Sequence, residues 1–93
     1  LAADLQARDL HQRLQAIQLG LEQNQFELYY QPKVDLQSGH CIGVEALIRW
    51  QHPELGLLAP GTFLPLIEQH PLGITLGNWV LRRALTQLAL WQQ

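Results

Sequence analysis

Val44-Glu45-Ala46-Leu47-Ile48-Arg49-Trp50 sets an acid and, four residues on, a cation into an otherwise apolar run. Its β-branched and aromatic residues favour a strand. Side chains alternate between the two faces of a strand, so Glu45, Leu47 and Arg49 point one way. Val44, Ala46, Ile48 and Trp50 point the other way and form a surface that must be buried. A strand with one buried side and with Glu and Arg on the other is suited to holding something charged.

The segment before it has the same period. Phe26, Leu28, Tyr30, Val34 and Leu36 alternate with Glu27, Tyr29, Gln31, Lys33 and Asp35, which predicts another strand. Pro32 cannot donate to a ladder and marks an edge or a bulge. Gln37-Ser38-Gly39 reads as a turn, and residues 40–50 return as the second strand of a β-hairpin. A three-residue loop at 37–39 gives paired residues the same parity and sets Gln31 opposite Glu45. A two- or four-residue loop would throw the two side chains onto opposite faces.

Working outward, Ala3, Ala7, Leu10, Leu14, Ile17 and Leu21 recur at alternating spacings of four and three. This predicts a helix over 3–23 with an apolar seam of coiled-coil period. Such a helix either packs on its own domain or joins and dimerises with an upstream module. Downstream, residues 51–59 read as a loop, Pro60 opens a helix through Phe63, Leu66 and Ile67, and Pro65 kinks or restarts it. His70-Pro71-Leu72-Gly73 reads as a break, with a last helix from about Thr75 carrying Leu76, Val80, Ala84, Leu88 and Trp91 on one face. Two strands cannot bury their inner face alone, so the polar face needs further strands to become a pocket.

Ninety-three residues bound the chain to one small domain. With 47% apolar and 15% charged residues it reads as globular, and a net charge of −2 offers no basic footprint for DNA or RNA. No apolar run approaches the roughly 20 residues needed to span a bilayer. The single Cys41 cannot form an internal disulfide and fits a reducing cytoplasm. The sequence contains no Met, and its helical pattern runs on to Gln93. Both lead us to expect a piece of something longer.

Four blocks in this order resemble the bacterial EAL domain. They are Leu28-Tyr29-Tyr30-Gln31-Pro32-Lys33, Gly43 through Pro53, Pro60-Gly61-Thr62-Phe63-Leu64-Pro65-Leu66-Ile67-Glu68, and Leu76-Gly77-Asn78-Trp79-Val80-Leu81. The resemblance implies an α/β fold, the N-terminal portion of a TIM-type β/α barrel with an antiparallel first strand. Barrels of this type take about 250 residues. Residues 1–24 would be an N-terminal helix leading from a GGDEF or sensory module, and residues 25–93 the first third of the EAL domain.

The same resemblance implies hydrolysis of cyclic di-GMP to linear pGpG with two divalent cations, Mg²⁺ or Mn²⁺. Glu45 would be catalytic as a metal ligand, since a hard carboxylate oxygen suits these ions. Arg49 would contact a phosphate through its planar fork of donors. Gln31 would hydrogen-bond the ligand beside Glu45, Leu47 would touch its sugar or base, and Pro60 and Phe63 would wall the guanine.

Plainer readings stand beside these roles. Glu45 could be a salt-bridged acid, Arg49 could pair with Glu27, Gln31 could bond only to neighbours, and Leu47 could be packing. Glu68 reads as a structural helix residue. His11, His40, His52 and His70 lack metal-ligand spacing and read as bystanders. Three functions remain: a phosphodiesterase, an inactive EAL domain serving as cyclic di-GMP receptor or scaffold, and a fragment that neither binds nor cleaves and folds only by pairing with another copy, as a homodimer, or with another segment. The expected location is cytoplasmic, with membrane tethering left to the parent protein.

Overall fold

A computed structural model describes residues 2–92, with side chains from Asp4 onward. The elements are α1 (Ala2–Glu22), β1 (Phe26–Val34), β2 (Cys41–His52), β3 (Gly56–Leu58), a 3₁₀ turn (Pro60–Thr62), α2 (Leu64–Ile67) and α3 (Pro71–Trp91). No helix among the described residues is long and apolar enough to cross a membrane.

Strand parity decides where the core lies. Phe26, Ile48 and Trp50 turn to the helices and are buried with Ile17, Phe63, Ile67, Leu72 and Leu76. Phe26 stacks on Trp50 at 5.2 Å between ring centroids, and Phe63 meets both rings edge-on at 5.5 and 5.7 Å. Aromatic pairs in such offset and edge-to-face geometries add to the gain from burial. The predicted seam of α1 divides in two. Leu14, Ile17 and Leu21 dock on this core, whereas Leu10 is exposed and the side chain of Ala3 lies outside the described residues.

The sheet is antiparallel throughout, in the order β1-β2-β3. Gln31 pairs with Glu45, as the parity argument requires, but the turn is longer than the expected three residues. Asp35 N donates to His40 O at 2.9 Å and Gly39 N donates to Asp35 O at 2.8 Å, so residues 36–39 form the loop. A four-residue loop alone would have put Gln31 and Glu45 on opposite faces. A register shift between Lys33 and Val34 compensates, because β2 carries one extra residue, Ile42, between the partners Cys41 and Gly43. This is the behaviour of a β-bulge.

Three further expectations are corrected. The loop predicted over 51–59 contains β3, which pairs Trp50 with Leu58 and His52 with Gly56. The helix expected from Pro60 is a 3₁₀ turn followed by a new start at α2, where Phe63 is the N-cap and Pro65 stands in the first turn. The last helix begins at Pro71 and not at Thr75. His70 is its N-cap with Pro71 in the first turn, and the imidazole Nδ1 accepts from Leu72 N at 3.1 Å. Proline is tolerated there because the first-turn N–H groups lack helical partners anyway. Gly73 lies inside α3, where a Cβ would collide with the Ile67 carbonyl oxygen. There the glycine marks a close helix approach and not a break.

Candidate active site

The face opposite the core is built from the odd-numbered residues of β1 and β2. Its cross-strand pairs are Glu27 with Arg49, Tyr29 with Leu47, and Gln31 with Glu45. Directly opposed Cβ atoms lie about 4.5–5.5 Å apart. Gln31 and Glu45 are exposed; Leu47 and Arg49 are half-buried. The sequence-predicted amide, carboxylate and guanidinium therefore do emerge on one side of the sheet. Along β2, Glu45 and Arg49 are about 13 Å apart at roughly 3.3 Å per residue, which rules out direct pairing and lets each address a different part of a ligand.

Partners separate the competing readings of these residues. Arg49 Nη1 donates to the Ile48 carbonyl oxygen at 2.9 Å, and no ion pair forms with Glu27 despite their opposition in the ladder. The Glu45 carboxylate makes no hydrogen bond or ion pair among the described residues. Neither side chain is consumed by a structural role. A free carboxylate is a fitting hard ligand for Mg²⁺ or Mn²⁺, but one ligand does not make a centre. Among the described residues no group of three His, Cys, Asp or Glu side chains is placed to hold a metal.

Phe63 does not join this face. It is 1% exposed and packed on Phe26 and Trp50, which point to the core. The ring thus lies on the core side of the sheet, opposite the face that carries Gln31, Glu45 and Arg49. Pro60 opens the 3₁₀ turn after β3 and is half-buried. Tyr29, to which the sequence pattern alone assigns no role, stands opposite Leu47 on the polar face and is 42% exposed. The same alternation that selected Gln31 selects Tyr29. A groove of ≈ 830 Å³ lined by Ile48, Leu64, Ile67, Ile74, Leu76 and Val80 opens on the core side, remote from this chemistry.

The histidines have structural tasks or none visible. His52 Nδ1 accepts from Glu54 N and Leu55 N, both at 3.1 Å, and holds the β2–β3 turn. His70 caps α3.

A family model described as the EAL domain matches residues 14–93. This chain belongs to the EAL domain family. The match begins within α1, at the residue where its seam starts to dock on the core. Among curated EAL relatives, the cyclic di-GMP phosphodiesterase PA2567 of Pseudomonas aeruginosa is 53% identical over 73 residues, which covers 78% of this chain and 12% of that protein. The bifunctional diguanylate cyclase/cyclic di-GMP phosphodiesterase MucR of the same organism is 48% identical over 85 residues, covering 91% and 12% respectively. The chain thus spans about an eighth of the length of these relatives.

Solved EAL structures share the fold. The PaMucR phosphodiesterase in complex with c-di-GMP superposes with a TM-score of 0.82 at 49% identity, over 87% of this chain and 33% of that one. The EAL enzyme Bd1971 in its cGMP-bound form gives 0.77 at 35% identity, over 84% and 21%. The helix and antiparallel strands seen here are the N-terminal portion of the family's TIM-type β/α barrel. An antiparallel first pair needs only a turn between its strands, whereas parallel neighbours need a crossover.

Proposed function

We propose that this EAL segment is part of a cyclic di-GMP phosphodiesterase that opens one phosphodiester bond to give linear pGpG, with Mg²⁺ or Mn²⁺ as cofactor. The observation that carries the reading is the shared face of Gln31, Glu45 and Arg49, each with polar atoms left for a ligand. The relatives' named activity supports the same substrate.

Each residue then has a defined task. Arg49 has five N–H donors and spends one on Ile48, so its fork remains able to take two phosphate oxygens. Gln31 offers both a donor and an acceptor to the ligand beside Glu45. Leu47 and Tyr29 form the apolar part of the floor, suited to the sugar and the flat base. Glu45 would hold a divalent cation together with ligands from outside these 93 residues. When bound, such an ion supplies Lewis-acid polarisation of the phosphate and a more acidic water. The acidic net charge argues against a DNA or RNA partner. The domain would work in the cytoplasm, with α1 as the joint to an upstream GGDEF or sensory module.

The test is chromatography of the product formed from cyclic di-GMP by the complete domain, with and without Mg²⁺ or Mn²⁺. Metal-dependent formation of pGpG is expected. Tight binding without turnover would instead make the domain a receptor, and absence of binding would remove cyclic di-GMP altogether.

A further inference from the structure

Besides its ladders to β1 and β3, the strand that carries Arg49 is tied to α1 near its C-terminal end through one residue, Gln25, in the link between α1 and β1. Gln25 N donates to Gly20 O of α1 at 2.9 Å. Its main-chain oxygen accepts from Gln51 N at 2.8 Å, and its side-chain Oε1 accepts from Trp50 Nε1 at 3.1 Å. Three bonds thus join the end of α1 to the two residues that follow Arg49. The site tolerates little displacement. A Cβ built on Gly20 would stand 3.0 Å from both Phe26 Cε2 and Trp50 Nε1, and 3.1 Å from Gln25 Oε1. The seat is therefore packed on the helix side as well as bonded.

From this geometry we infer that Gln25 is a positioning residue: by holding the Trp50 indole against α1, it sets the direction in which Arg49 projects from the opposite face. Adjacent strand residues point to opposite faces, so rotation of β2 about its axis at Trp50 swings Arg49 by the same angle. The long arginine side chain magnifies that swing at the guanidinium. Glu45 lies five residues back from Trp50, so a twist applied at Trp50 is spread over the intervening ladder pairs before it reaches Glu45. The same connection gives α1 a route to the phosphate-binding end of the site, because Gly20 and Gln25 move with the helix. This inference rests on the proposed function, in which Arg49 contacts a phosphate.

The experiment is steady-state kinetics of the complete EAL domain on cyclic di-GMP for the wild type, Gln25→Ala, Gln25→Glu and Trp50→Phe. Gln25→Ala removes the bond from Trp50 and an exposed donation to Gln23 Oε1; loss of the Trp50 bond should raise KM about three- to tenfold, with kcat within about twofold. Gln25→Glu keeps the acceptor for Trp50 Nε1 and gives up only the exposed donation to Gln23, so it should restore wild-type KM. Trp50→Phe keeps a ring on Phe26 but lacks the donor, and should reproduce the Gln25→Ala result even if that variant folds poorly. In an Arg49→Ala background, Gln25→Ala should leave KM unchanged. A fall in kcat at constant KM, or the same rise in KM without Arg49, would overturn the inference. A wild type that neither binds nor cleaves cyclic di-GMP would instead defeat the proposed function.

Discussion

Glu27 stands directly across the β1–β2 ladder from Arg49, yet the Arg49 guanidinium donates to the neighbouring Ile48 carbonyl and leaves that carboxylate alone. An acid within reach that is not used keeps the remaining arginine donors open. Under the proposed function it also sets a negative charge near the phosphate, so binding there would be fixed by the geometry of the fork and not by net attraction alone.

Arg49 should therefore be sensitive to shape as well as charge. Arg49→Ala should raise KM for cyclic di-GMP about 10- to 100-fold. Arg49→Lys keeps the charge but loses the planar fork and should recover only part of that loss. Initial-rate measurements over a range of substrate concentrations would check both; full recovery by lysine would reduce Arg49 to a point charge.

Glu45 is exposed and has no protein partner among the described residues, so its replacement should spare the fold. Glu45→Gln should lower turnover of the complete domain by more than about 100-fold. Its unfolding free energy should change by no more than about 0.5 kcal/mol. Activity assays paired with urea denaturation would separate the two effects.

Phe63 should behave in the opposite manner. Removing a buried ring that contacts Phe26 and Trp50 should cost about 3–5 kcal/mol. The folded fraction of Phe63→Ala should retain wild-type KM. A rise in KM without loss of stability would return Phe63 to the ligand site.

Gly73 tests the close approach of α3 to α2. Helix propensity alone predicts that Gly73→Ala stabilises by up to about 1 kcal/mol. A Cβ there would collide with the Ile67 oxygen and must instead push the two apart, so we expect destabilisation of about 1–3 kcal/mol. Denaturant midpoints of the wild type and variant decide the sign.

How much of this was legible from residues alone depended on the physical signal. Alternation in 26–36 and 44–50 is strong, so both strands and the shared face of Gln31, Glu45 and Arg49 could be read directly. The turn could not. A four-residue loop and a bulge at Ile42 cancel in parity, and a bulge leaves no signature when neither of its neighbours is unusual. β3 is three residues long and shows no period. Pro71 and Gly73 punctuate a chain in isolation, yet His70 caps the helix and Ile67 demands the glycine, and both are tertiary facts. For Phe63, family resemblance supplies a position without telling which way its ring turns.

The most direct test of the central claim is a crystal structure of the complete EAL domain with cyclic di-GMP and a non-reactive divalent cation such as Ca²⁺. The account predicts the Arg49 guanidinium on a phosphate, Gln31 on the ligand, and the Glu45 carboxylate on the cation, all on the face away from Trp50. A ligand seated on the opposite side of the sheet, or a cation bound without Glu45, would contradict it.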